Sequence, residues 1–89
     1  MVTTILTHEV KDYDVWRKAF DGDETNRSNA GFKTHGVYRG VENPNSITIM
    51  MDAPSMEAIN AFMTNPDLKA AMEKGGVISA PEVKILNKV

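Results

Sequence analysis

The chain reads as a ferredoxin-like α+β domain, β-α-β-β-α-β, and three observations predict that class. A period-2 segment at residues 2–10 gives way directly to a helical apolar stripe through Trp16 and Phe20. Two strand-like runs, 32–41 and 46–52, meet at the turn cluster Glu42-Asn43-Pro44-Asn45-Ser46. A second helical stretch at 55–74 precedes a closing strand at 82–89. That order predicts a four-stranded antiparallel sheet with its helices on one face.

The elements follow from local chemistry. Alternation places Val2, Thr4, Leu6, His8 and Val10 on one face of the first strand, with Thr3, Ile5, Thr7 and Glu9 on the other. Asp12 suits the N-cap of the first helix, and Asp14 complements its dipole. Val15, Trp16, Ala19 and Phe20 make the apolar face of that helix, which Asp23 and Arg27 continue at helical spacing. Gly22 predicts a break after Phe20, and Ala30-Gly31 an end.

In the second strand, strict alternation sets Thr34, Gly36 and Tyr38 against His35, Val37 and Arg39. The third sets Ile47, Ile49 and Met51 against Thr48 and Met50. Pro54-Ser55 opens the second helical stretch, whose buried face is Ile59, Phe62 and Met63. Asn65-Pro66-Asp67 interrupts it, because proline cannot continue a helix but suits the first turn of a new one. Leu68, Ala71 and Met72 form the apolar side of that new helix, which Gly75-Gly76 ends. Residues 77–81 connect to the last strand, supplied by Val83, Ile85 and Leu86.

Eighty-nine residues make one domain, residues 1–89. A chain of this size buries only roughly 60–65% of the surface its unfolded form exposes, so a monomer has a thin stability margin. Both sheet faces carry apolar residues, with Ile5, Val37 and Met50 or their neighbours left on the uncovered one. Two sheets packed face to face would bury them, so a homodimer is expected. Ten Lys and Arg against twelve Asp and Glu give a net charge of −2, and no basic stripe recommends nucleic acid as a partner. No segment has the length of a membrane span, and the first ten residues lack the pattern of a signal peptide; the cytoplasm is the expected compartment. Without cysteine there is no disulfide, no thiolate metal site and no Cys nucleophile. Gly-rich phosphate loops, a dinucleotide fingerprint and zinc-ligand spacings are absent from the sequence.

The β-α-β-β-α-β order, the passage His8-Glu9-Val10-Lys11-Asp12-Tyr13-Asp14-Val15-Trp16 and the break Asn65-Pro66-Asp67-Leu68 resemble the dimeric α+β-barrel superfamily. Within it, the chain resembles small stand-alone proteins related to antibiotic-biosynthesis monooxygenases. The resemblance implies a dimer built through the sheets and a small pocket between sheet and helices. It also implies chemistry drawn from cofactor-free oxidation of polyphenols, haem degradation, polyketide cyclisation or lactone isomerisation. The haem-degrading branch places an axial histidine on the second helix; residues 55–74 here contain none, and the single tryptophan lies on the first helix.

Candidate chemistry therefore rests on few residues. His8 shares a strand face with Leu6 and Val10, where a neutral imidazole could accept a proton from a phenol or an enolisable ketone. The same position suits a histidine bonded within the core or at a dimer seam. Tyr38 could donate from its hydroxyl or simply pack. Trp16 and Phe20 could stack on a flat ligand or fill the core, and Asp23 and Arg27 could line a pocket mouth and bind an anionic or phenolic group or form a solvated i,i+4 ion pair. Met50, Met51, Met63 and Met72 would give a compliant apolar cavity suited to varied ligands, or serve as ordinary core filler. The expected sites are thus catalytic His8 and Tyr38, and substrate-binding Trp16, Phe20, Arg27, Met51, Phe62 and Met72, with no metal or cofactor. The expected reaction, if there is one, is cofactor-independent oxygenation or a cyclase or isomerase step on an aromatic or polyketide-like compound. The competing expectation is a non-catalytic ligand-binding or structural homodimer.

Overall fold

The structure, a computed structural model, describes residues 2–89. Its elements are β1 (Val2–Glu9), α1 (Tyr13–Gly22), α2 (Glu24–Asn29), β2 (Lys33–Arg39), β3 (Ser46–Ala53), α3 (Met56–Met63), α4 (Pro66–Lys74) and β4 (Glu82–Leu86). The sheet order is β2-β3-β1-β4, antiparallel throughout, which is the ferredoxin-like arrangement.

Caps and breaks fall where side-chain chemistry puts them. Asp12 accepts from the Asp14 and Val15 amides, Ser55 from the Ala58 amide and Asn65 from the Asp67 amide. Pro66 opens α4, where its missing N–H costs nothing. The first helical stretch breaks after Gly22 rather than after Phe20. Gly31 and Gly76 take positive φ values of 83° and 75° after α2 and α4. The strands are shorter than the apolar runs suggest: β2 stops at Arg39 and β4 at Leu86.

Register decides the faces. His8 pairs with Ile47, Leu6 with Ile49, and Thr4 with Met51, and all six are buried on the helix-covered side. Ile47 and Val10 are the largest fully enclosed side chains, and each contributes about 1.5–3 kcal/mol relative to exposure. Val15 is a correction: at 52% exposure it lies outside the α1 core face, which Trp16 anchors at 4%.

Strand β2 supplies the larger correction. Thr34 pairs with Met51 but Gly36 with Met50, so one residue, His35, is inserted into the ladder. The bulge reverses the alternation. Val37, opposite Ile49, faces the helices; Tyr38, opposite Thr48, faces the uncovered side. Val37 therefore leaves the expected uncovered patch, whose apolar members are Ile5, Met50, Tyr38 and Leu86 among threonines and charged groups.

Candidate functional site

Arg27, Phe20, Trp16 and His8 form one continuous wall. The Arg27 guanidinium carbon lies 3.6 Å from the Phe20 ring centroid. Phe20 stacks on Trp16 with centroids 4.9 Å apart and planes inclined by 25°. Trp16 in turn meets the His8 ring edge-on at 5.6 Å. Three of these residues come from α1 and α2. Asp23 carries the chain across the break, its amide bonded back to the Ala19 and Phe20 carbonyls, so Arg27 still continues the Trp16–Phe20 stripe.

Behind this wall lies a cavity of about 80 Å³ between the sheet and the four helices. Met51 floors it, and Phe62, Met63 and Met72 close it from α3 and α4. Its polar groups are few. Thr4 Oγ1 is already committed, donating to the Met51 carbonyl at 3.3 Å. The other three are His8, Asp23 and Arg27.

His8 is 4% exposed, and its Nδ1 is buried without a hydrogen-bond partner. Loss of hydration pushes the imidazole pKa below its usual value; a contact with its own backbone opposes this only in part. At neutral pH the ring is therefore uncharged. Arg27 is also 4% exposed. Its Nη2 donates to Glu24 Oε2 at 2.8 Å, while its Nε is buried with no partner. Such an uncompensated donor costs about 1–3 kcal/mol, more when the group is charged.

Seven of the expected site residues, His8, Trp16, Phe20, Arg27, Met51, Phe62 and Met72, line this one cavity. Tyr38 does not. The bulge places it on the opposite sheet face, 54% exposed, so it cannot share a pocket with His8 of the same chain. His35 is on that uncovered face too: its Nε2 lies 2.6 Å from Asp52 Oδ2, and Thr3 Oγ1 donates to Asp52 Oδ1 at 2.9 Å. The His35 contact, then the Thr3 bond, hold the Asp52 carboxyl below the usual range.

Met63 joins Met51 and Met72 in the lining as the sequence suggests, whereas Met50 pairs with Ile5 on the uncovered face; Leu68, whose helical spacing with Met72 was the available signal, is an addition. Asp23, Phe62 and Leu68 also border a groove of about 450 Å³ between α2 and the α3–α4 pair. Among the described residues, no group of three or more His, Asp or Glu side chains is placed to hold a metal ion. Among the described residues, no helix is long and apolar enough to cross a membrane.

Fold and cavity together define a ferredoxin-like α+β protein with a small internal pocket on the helix side of its sheet. The chain belongs to the family described as "Domain of unknown function (DUF3764)", whose family model matches residues 1–84. No curated protein matches it. Among solved structures, it is similar to a provisionally named antibiotic biosynthesis monooxygenase from Bordetella bronchiseptica, with TM-score 0.78 and 18% identity over 99% of this chain and 96% of that one. A provisionally named antibiotic biosynthesis monooxygenase from Caulobacter crescentus gives TM-score 0.77 and 17% identity, over 99% of this chain and 89% of that one. An uncharacterised NIPSNAP domain protein from Burkholderia xenovorans gives 0.68 and 12%, over 100% and 95%. At these identities the likeness establishes the fold, and proteins of different names share it.

Proposed function

We propose that this protein binds a small, mainly apolar molecule in the cavity between sheet and helices, and that His8 acts on it as a proton acceptor. The observation that carries the reading is the unpartnered, buried Nδ1 of a neutral imidazole among the residues that line the cavity. A neutral imidazole can take a proton, whereas a charged one cannot. Trp16 and Phe20 form the wall against which a flat ligand lies.

The reaction this arrangement suits is proton abstraction from a phenol or an enolisable ketone. The resulting anion either shifts its double bond, an isomerase or cyclase step, or reacts with dioxygen. In the second case the hydroperoxide formed loses water, one oxygen atom stays on carbon, and the substrate loses two hydrogens. Names of structural neighbours as antibiotic biosynthesis monooxygenases support this class without fixing the substrate. Tyr38 has no part in it within one chain, since it occupies the other sheet face. A homodimer through that face, in the cytoplasm, is part of the same proposal, as is a single domain over residues 1–89.

The test is oxygen uptake with a panel of polyphenols and 1,3-diketones. Wild type consumes oxygen with at least one, and His8→Ala does not while keeping its native circular dichroism. Unchanged turnover in His8→Ala removes His8 from the reaction. The second reading, a non-catalytic binder, is favoured by the small cavity, about half the roughly 150 Å³ that admits a benzene ring. Ligand retained in native mass spectrometry without turnover of any panel member would select it.

A further inference from the structure

We infer that Arg27 is the anion anchor of this cavity, and that the ligand is a small organic monoanion whose carboxylate or phenolate oxygen accepts from Arg27 Nε. The inference rests on the pocket reading above and names its ligand class.

A guanidinium is rarely enclosed to this degree without full pairing. Arg27 is buried at 4% exposure, yet its single salt bridge runs outward to Glu24, whose side chain is 58% exposed. Glu24 fixes one edge of the guanidinium, and Phe20 supports its face at 3.6 Å. The Nε–H is left over, buried and unbonded. Holding a planar donor in place from two sides while its buried Nε–H stays without a partner prepares it for an acceptor from outside the chain. Among the described residues Asp23 is the one carboxylate lining the cavity, and its Oδ1 accepts from Asn26 Nδ2 at 2.6 Å.

Size and lining restrict the rest of the molecule. Beyond Arg27 the cavity is apolar apart from Thr4, whose hydroxyl is bonded, and His8. An anion head at Arg27 therefore carries a short apolar or aromatic body inward along Phe20 and Trp16 towards His8. At about 80 Å³ the space takes a branched aliphatic group directly, and a ring once the flexible Met63 and Met72 side chains yield. The charge binds at Arg27, and the proton-accepting imidazole lies at the other end of the wall made by Phe20 and Trp16.

Trp16 is the only tryptophan, so its fluorescence reports the cavity alone. Two matched probe pairs are titrated: isobutyrate against isobutyramide, and benzoate against benzamide. Wild type should bind at least one anion ten-fold or more tighter than its neutral partner. Arg27→Met, checked for native circular dichroism, should lose that preference and still bind the amide. Arg27→Lys, which keeps charge but not the Nε position, should recover only part of it. Equal binding of anion and amide by wild type, or a preference surviving in Arg27→Met, overturns the anchor while leaving the pocket standing. Absence of binding by all four probes overturns both.

Discussion

The His8 ring meets the Trp16 indole edge-on, 5.6 Å between centroids, and that contact ties the first strand to the first helix in the lining of the cavity. An edge-on approach lets the imidazole pack without spending its Nδ1 on the protein. From Trp16 the wall continues through Phe20 to Arg27, so a proton acceptor and a fixed charge stand at opposite ends of one aromatic stack.

Stability should fall with acidity through His8. Its folded pKa is depressed by burial, so its contribution is complete above the unfolded value near 6.5 and is lost as pH drops below it towards the folded value. The limiting slope for one proton is about 1.4 kcal/mol per pH unit. Urea unfolding at pH 7.5 and pH 5 should show wild type losing more stability than His8→Gln. Equal losses would mean that His8 is not buried neutral. Asp52 titrates separately: its pKa is lowered, so its contribution is present above the unfolded value of 3.8 and is lost only in stronger acid.

Arg27→Met should change stability by less than about 1 kcal/mol. The cation–π contact with Phe20, worth about 0.5–2 kcal/mol, is lost, but so is the penalty of an unbonded buried donor, and Glu24 remains hydrated. Trp16→Ala should instead cost about 3–5 kcal/mol, as for other large side chains removed from a core. Both follow from denaturant midpoints; a loss above 2 kcal/mol in Arg27→Met would make the arginine a structural residue.

Gly31→Ala should cost about 1–2 kcal/mol. Its φ of +83° disfavours any side chain, and a Cβ there would stand 3.2 Å from Pro54 Cγ. Thermal unfolding of the variant checks this, and an unchanged midpoint would contradict the turn geometry.

Tyr38→Phe should leave probe binding to the Trp16 cavity within two-fold of wild type, because the bulge turns Tyr38 to the far face. A larger loss in the fluorescence titration would place its hydroxyl in the site after all, through a partner chain.

Much of this architecture was legible from residue patterns, and the exceptions have physical causes. Alternation in 2–10 assigned Thr4, Leu6 and His8 to one face, and pairing with β3 keeps them there. The Asn65-Pro66 signal located the α3–α4 break because a proline and a cap act locally. Tyr38 parts from His8 because a single inserted residue inverts every side chain after it; strict alternation does not register the insertion, although Gly36 in the strand interior is a mark of one. Val15 was misassigned because it adjoins Trp16 on the helix and lies about 100° round from it. Arg27 was placed on the stripe by spacing, but its burial depends on Phe20 and on the helix break, which are tertiary facts.

The most direct test of the cavity is nitrogen NMR of the two histidines in protein labelled with ¹⁵N-histidine, at pH 7.5, with and without a simple phenol. His8 should give an unprotonated ring nitrogen whose resonance moves on phenol binding, while the His35 signal on the other face stays fixed. A His8 ring that is protonated at this pH, or whose resonances ignore phenol while Trp16 fluorescence also stays constant, would contradict the account.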